Sequence, residues 1–257
     1  MPDMNTLSVI IITRNEAADI RYCLESVKWA NEIIVLDSGS SDQTVAICRE
    51  YTAKVFSTDW PGYGIQKNRA LQYATSEWVL SLDADERVSD DLRHQIQTAI
   101  TQNTSDAYAI PFQSRFCGQV IKWGAWRSEK HVRLFKRSQG KFSDAIVHEK
   151  LLINGQIGQL TAPILHDSYK NFEEVLEKMN CYSTYGAELR LQQGNRGGLT
   201  IALLHGIWAF IKSYCLQLGF LDGKMGFILA ISIAEGSYYR YLKLMLLAKQ
   251  KPQREQI

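Results

Sequence analysis

Asp83 and Asp85, one residue apart and followed at once by Glu86, close a short apolar run formed by Trp78, Val79, Leu80 and Leu82. Such a run has the character of a buried strand. In open α/β sheets, ligands bind in the crevice beyond the carboxyl ends of the strands. Two carboxylates spaced i, i+2 at such an end can face one divalent cation. Mg²⁺ in particular keeps water and shares one or two carboxylates with substrate phosphates. The chemistry suggested is a metal-held diphosphate, and the plain alternative is a solvated acidic turn.

Other residues with chemical capacity sit at similar places upstream. Glu32 to Leu36 reads as a strand that ends in Asp37-Ser38-Gly39-Ser40-Ser41-Asp42. Asp37, at the strand's end, is placed to accept hydrogen bonds from a ligand, whereas Asp42 or Ser41 caps the helix that follows. Leu7 to Ile12, rich in β-branched residues, runs into Thr13-Arg14-Asn15-Glu16. There Asn15 and Glu16 either cap a helix over Ala17–Ala30 or touch a ligand. Lys67 and Arg69, near the start of a helix over Ile65–Ala74, either meet phosphate oxygens or form a solvated basic face.

The elements that must position these groups alternate strand, helix, strand, helix, strand, helix, strand. The second helix covers Thr44–Tyr51, the third strand Ala53–Phe56, and a further helix Asp90–Thr101. This order predicts an α/β fold with parallel pairing and right-handed crossovers. The first strand–helix turn lacks GxGxxG, and GxxxxGK[ST] is absent, which argues against a dinucleotide-binding enzyme or a P-loop ATPase.

Composition narrows the class. A chain of 257 residues, 46% hydrophobic and 22% charged, has the balance of an ordinary globular protein. A formal charge of +2 is too small to argue for nucleic acid. The cysteines, Cys23, Cys48, Cys117, Cys181 and Cys215, form no CxxC pair, as expected of reduced thiols in the cytoplasm. The N-terminus reads as entering a strand without an export signal.

The segments Ser8-Val9-Ile10-Ile11-Ile12-Thr13-Arg14-Asn15-Glu16, Ile34-Val35-Leu36-Asp37-Ser38-Gly39-Ser40-Ser41-Asp42 and Asp83-Ala84-Asp85 together resemble a family 2 glycosyltransferase of GT-A fold. The resemblance covers roughly the first hundred residues. It implies inverting transfer from a nucleotide-activated sugar with Mn²⁺ or Mg²⁺. It also implies roles by position: Thr13, Asn15, Glu16 and Asp37 near the nucleoside, Lys67 near the diphosphate, Asp83 and Ala84 near the ribose or donor sugar, and Asp85 on the metal. A wider resemblance, through Arg133-Leu134-Phe135-Lys136-Arg137, Val147-His148-Glu149 and Leu165-His166-Asp167-Ser168-Tyr169, is to bacterial lipopolysaccharide-core glycosyltransferases that add a β-1,4-linked glucose to a core heptose. It implies a UDP-sugar donor, UDP-glucose in the first place, and a glycolipid acceptor.

Inverting transfer needs a base for the acceptor hydroxyl. The resemblance points to Glu149, with Asp144 and Asp167 as rivals. It makes His166 a second metal ligand, against the alternative of a structural histidine. Arg133 either holds phosphate or acceptor, or pairs with a nearby acid. Ala107–Gln113 reads as a strand, and Phe116–Trp126 as a hairpin or a loop over the acceptor.

The remainder differs in character. Residues 1–170 are expected to form the catalytic domain and 171–257 a helical C-terminal region. Asn171–Gln193 is polar and amphipathic, and Gly194-Asn195-Arg196-Gly197-Gly198 breaks it. Thr200–Phe220 carries an apolar stripe through Leu204, Ile207, Trp208, Ile211, Cys215 and Leu218, interrupted by Lys212. Spanning a bilayer takes about 20 mostly apolar residues. This segment is therefore expected to lie on a membrane or to pack on the catalytic domain. Gly226–Ala248 repeats the pattern, broken by Glu235, Arg240 and Lys243. Lys243, Lys249, Lys251 and Arg254 form a basic end suited to anionic lipid. The expected location is cytoplasmic, peripheral on the inner face of the cytoplasmic membrane. Two other functions compete with glycosyl transfer: a nucleotidyltransferase that makes nucleotide sugars, and a non-catalytic membrane-associated module. The first wants a Gly-rich basic loop after the first strand, and Thr13-Arg14-Asn15-Glu16 lacks it. The intact Asp83 and Asp85 argue against the second.

Overall fold

The structure is a computed structural model that describes residues 5–127, 129–144 and 149–254, with side chains up to 250. Val147 and His148 of the Val147-His148-Glu149 segment lie outside the described residues, as do the side chains of Lys251 and Arg254. The chain forms two compact units, Met1–Gln113 with Ser128–His166, and Ser114–Arg127 with Asp167–Ile257. The second unit thus takes in the Phe116–Trp126 segment, which the sequence alone leaves with the first.

The first unit begins with β1 (Leu7–Thr13), α1 (Ile20–Val27), β2 (Glu32–Asp37), α2 (Thr44–Arg49), β3 (Val55–Ser57), α3 (Tyr63–Tyr73) and β4 (Trp78–Asp83). It continues with β5 (Glu86–Val88), α4 (Asp90–Gln102) and β6 (Ala107–Phe116), which runs on into the second unit. Past β7 (Gln119–Val120) of the second unit come β8 (Lys130–Lys136), β9 (Gly140–Phe142), β10 (Leu151–Ile153), β11 (Ile157–Gln159) and β12 (Ile164–Tyr169).

The strands β3, β2, β1 and β4 lie side by side in that order and run parallel. Beyond β4 the sheet continues through antiparallel β8 and β6. The part of β12 from Ile164 to His166 pairs antiparallel with β5. This is the α/β, GT-A arrangement expected, with the parallel pairing confined mainly to the N-terminal strands.

Alternation across the pleat explains the unbroken apolar runs. Val9 and Ile11 face Ile20, Leu24 and Val27 of α1 and Leu92 and Ile96 of α4. Ile10 and Ile12 face the other way, toward Ala70 of α3, Ala74 just after it, and Phe135 and Phe142. Both faces of the sheet are covered, so its edge is where polar groups can gather.

The helix after β1 starts later than its spacing suggests. α1 opens at Ile20, with Asp19 in the cap position, so Asn15 is not its N-cap. Asn15 instead sits in the left-handed region, φ +55°, which Asn tolerates better than most residues.

The second unit joins the β6–β7 hairpin to α5 (Phe172–Gln192), α6 (Leu199–Phe210) and α7 (Gly223–Arg254). Asn171 caps α5 by accepting from the backbone N–H of Glu174. The unit's core gathers Phe116, Ile121, Val175 and Leu229, with Trp126 stacked on Tyr169 at 5.8 Å. Lys243 of α7 donates to Asn180, Ser183 and Thr184 of α5 at 2.7–2.8 Å, which locks the two helices in register.

Candidate active site

The register of the parallel strands brings the chemical residues to one edge. Thr13 lies opposite Asp37, and Ile12 opposite Asp83. The chain moves outward from β1 to β2 to β3, then returns to place β4 on the other flank of β1. A reversal of this kind opens a crevice beyond the strand ends. Asp83 stands at its mouth with its side chain 35% exposed.

Asp83 is held by two cations. Lys67 Nζ lies 3.0 Å from Oδ1, and Arg133 Nη2 lies 3.0 Å from Oδ2. Both cations are mostly buried, Lys67 on α3 and Arg133 on β8. Burial works against the Asp83 charge, yet Lys67 and Arg133 hold its carboxyl far below the usual carboxylate range. Glu86 sits beneath it, 1% exposed. Its Oε1 accepts from Arg133 at 2.5 Å and its Oε2 accepts the backbone N–H of Asp83 at 2.9 Å. Burial pushes Glu86 up to about 7, with Arg133 opposing and the charges of Asp83 and Asp85 adding to the rise. Burial also disfavours the Arg133 cation, but Glu86 and Asp83 keep the guanidinium above its ordinary value. The acidic turn is therefore pinned in place and is not a solvated loop.

Asp85, on the turn between β4 and β5, faces His166 of β12, with Oδ2 3.2 Å from Nε2. Antiparallel pairing of His166 with Glu86 sets this approach. Burial works against the imidazolium, but the hydrogen bond and charge of Asp85 raise His166 above the ordinary histidine value. A proton shared by a carboxylate and an imidazole occupies a place that a divalent ion can take, because both groups are competent ligands once the proton leaves. Among the described residues no group of three or more His, Cys, Asp or Glu converges as a complete cage. Two protein ligands with the remaining positions left to phosphate and water suit Mg²⁺ or Mn²⁺, so the donor set fits such a metal.

Glu149 joins the cluster from the other side. Its Oε1 lies 2.7 Å from Lys67 Nζ, so one lysine bridges Glu149 and Asp83. Asp144 is exposed, and Asp167, in the second unit, lies 3.7 Å from Arg115.

The strand ends of β1 and β2 are stitched together. Asn15 donates its backbone N–H to Ser40 Oγ, and its side-chain oxygen accepts from the N–H of Ser41, each at 2.8 Å. The N–H of Glu16 reaches Thr44 Oγ1 at 2.8 Å. Asp42 accepts from the N–H groups of Ala17 and Thr44, but the cap position of α2 is Gln43, with no side-chain cap bond, so neither Asp42 nor Ser41 is its N-cap. Asp37 spends most of its carboxylate on its own turn, accepting from the N–H groups of Gly39 and Ser40 at 3.0 Å and from Ser40 Oγ. A carboxylate has about four acceptor positions, which leaves Asp37 capacity for one more partner. Thr13 is buried, and its Oγ1 has no hydrogen-bond partner among the described residues. Ala84 is buried in the turn between the two aspartates.

Lys67 and Arg69 part company. Lys67 turns inward to the cluster, whereas Arg69 pairs with exposed Asp59 at 2.7 Å. Three contributors had no assigned role in the sequence. Glu86 locks the acidic turn. Phe112 lies under Arg133 at 5.3 Å and edge-on to His166 at 6.1 Å. Buried Gln66 bonds Ser38 and Thr58. Only Glu86 left a signal, a third carboxylate in four residues at a strand end.

The family model Glycosyl transferase family 2 matches residues 8–155. An uncharacterized glycosyltransferase of Rickettsia prowazekii is 31% identical over 254 residues, covering 94% of this chain and 87% of that protein. The lipopolysaccharide core biosynthesis glycosyltransferase LpsC of Rhizobium meliloti is 27% identical over 250 residues, covering 91% of this chain and 93% of its own. Among solved structures, S. aureus TarS 1-349 in complex with UDP-GlcNAc aligns with TM-score 0.49 and 17% identity, over 96% of this chain and 92% of that one.

Proposed function

The chain belongs to glycosyl transferase family 2, and from that premise we propose an inverting, metal-dependent transfer of glucose from UDP-glucose to a glycolipid acceptor such as the heptose of a lipopolysaccharide core. Family membership removes the nucleotidyltransferase and the non-enzymatic alternatives. The observation that carries the mechanism is the Asp83 carboxylate at the strand-order reversal, gripped by Lys67 and Arg133 and partly open to the crevice. The similarity to LpsC supports the acceptor class.

Glu149 takes the proton from the acceptor hydroxyl. The acceptor oxygen attacks the anomeric carbon from the side opposite the diphosphate. The new glycosidic bond forms as the bond to the diphosphate breaks, and the configuration inverts. Lys67 offsets charge on the departing diphosphate, and Arg133 keeps Asp83 ionised and oriented toward the donor. Thr13, Asn15, Glu16, Asp37 and Ala84 form the nucleoside end, where the unpartnered Thr13 hydroxyl supplies a hydrogen bond. Asp85 and His166 would hold Mn²⁺ or Mg²⁺, which when bound supplies Lewis-acid stabilisation of the leaving group. The reaction is placed at the inner face of the cytoplasmic membrane, where a lipid-borne acceptor is met.

Thermal shifts across a panel of nucleotide sugars, with and without Mn²⁺, test the donor. UDP-glucose is expected to raise the melting temperature most, and only with the metal. A larger shift with another nucleotide, or equal shifts in excess chelator, overturns that assignment. Transfer to heptose-terminated core then tests the acceptor.

A further inference from the structure

Of the helices in the second unit, α6 packs with its small residues inward and its large ones outward. From α6, Ala202 and Gly206 are buried, as is Ser213 in the wider turns that follow over Ile211–Leu216. The approach is close: a Cβ on Gly206 would meet Tyr238 Cβ at 3.2 Å and the carbonyl of Ala234 at 3.3 Å. Leu204 (62% exposed), Ile207 (57%) and Trp208 (55%) stay outside, with Leu203 and Ile211. A soluble helix buries its large apolar stripe. Small residues at the helix contact and large ones turned out is the packing logic of helices whose outer solvent is lipid.

Charge points the same way. Between Gly194 and Ala234 the charged residues are Arg196, Lys212, Lys224 and Asp222. Asp222 is turned to the protein and accepts from the backbone N–H groups of Lys122 and Trp123. Arg196, Lys212 and Lys224 are exposed. His205 and Lys212, seven residues apart, share one edge of the helix, with Trp208 between them.

We infer that the outer face of α6 is a docking surface that lies flat on an anionic phospholipid leaflet. The apolar stretch Leu199–Leu216 has 18 residues and a mean hydropathy of 1.5, enough to cross a membrane by length and composition alone, but it carries Lys212 and packs beside α7, which carries Glu235, Arg240 and Lys243, charges that a spanning pose would place in hydrocarbon. The N-terminal part of the stretch runs beside the polar half of α7, where Tyr241 stacks on His205 at 3.9 Å. A flat interfacial pose leaves those groups in water while Leu204, Ile207 and Ile211 enter the acyl boundary. The inference deepens the reading of a lipid-borne acceptor and rests on it only for its purpose, since vesicle binding needs no sugar.

The test is flotation of the full-length protein with phosphatidylcholine vesicles with and without phosphatidylglycerol, beside light scattering and transfer to a detergent-dispersed acceptor. Binding is expected with the anionic vesicles and is weakened by salt. Leu204→Ser with Ile211→Ser is expected to weaken it about a hundredfold, with unchanged melting temperature and detergent-phase transfer. Lys212→Ala is expected to cost about fivefold on anionic vesicles only. Wild-type protein that stays in solution with every vesicle overturns the inference. So does a dimer that the double variant converts to monomer, which would make a second copy the occupant. A double variant that unfolds also overturns it, because the face would then be structural. Vesicle binding without transfer to any glycolipid leaves the surface standing and sinks the acceptor assignment instead.

Discussion

The β4–β5 turn and the α6 helix each put the wrong kind of group in the wrong place, and in opposite directions. Around Asp83 the chain buries charge: Lys67, Arg133 and Glu86 are nearly inaccessible. Along α6 it exposes Leu204, Ile207 and Trp208. Charged residues are almost never fully buried unless paired, and large apolar patches rarely remain on a soluble surface. The buried charges are mutually paired, so their cost is met inside the protein. The exposed apolar face has no such cover among the described residues, which is the ground for the inferred docking surface. A departure that is satisfied internally reads as a preorganised site, and one left open reads as a surface awaiting contact.

The comparison is broken most severely at the Asp85–His166 pair, the proposed metal ligands. Asp85→Asn is expected to lower transfer by about 10³-fold or more, a loss of several kcal/mol of charge stabilisation, while the fold stays intact by circular dichroism. Metal-dependent donor binding, followed by calorimetry, should vanish with it. Full activity in that variant, or undiminished wild-type turnover in excess chelator, removes the metal from the account.

Glu149→Gln keeps size and removes basicity. Donor affinity should persist while kcat falls about 10²–10⁴-fold. If Asp144→Asn or Asp167→Asn produces that split and Glu149→Gln does not, the base has been misassigned.

Arg133→Met sharpens the claim that the buried charges depend on one another. Removing it leaves Glu86 and Asp83 without their shared cation, at a cost of about 3–5 kcal/mol of stability. Adding Glu86→Gln should recover part of that loss, and urea titration of the two singles and the double measures the coupling. Strict additivity would show that the cluster is not a unit.

One substitution made in each unit draws the contrast in stability alone, and its smallest effect falls on α6. Leu24→Ala, in the core of the first unit and 0% exposed, should cost about 2–5 kcal/mol. Leu204→Ala should change stability by less than about 0.5 kcal/mol in water. A large loss at Leu204 would mean that the outer face of α6 already has a protein partner.

Much of this was legible in the residues themselves. The β-branched run of β1, the acidic ends of β2 and β4 and the helical spacing between them follow from local patterning, because strand and helix periods are properties of neighbouring residues. The Asp-Ala-Asp turn and the candidate status of Glu149, Arg133 and His166 were visible as motifs. The apolar stripe of α6 was equally plain as a stripe.

What the stripe and the motifs face was decided only in three dimensions. Lys67 and Arg69 sit two apart on one helix, yet one turns into the cluster and the other pairs with exposed Asp59, because helical positions two apart point in different directions. Asn15, a fair cap by composition, became a link to the Ser40–Ser41 turn. The meeting of Asp85 with His166 spans 81 positions and depends on β12 pairing with β5, a register that neither segment encodes alone. The same holds for α6. Its sequence determines that a face is apolar, but whether that face is core or surface depended on the small residues Ala202 and Gly206 taking the contact with α7. Local sequence determines periodicity and chemistry; burial is a relation between distant segments, and only their packing settles it.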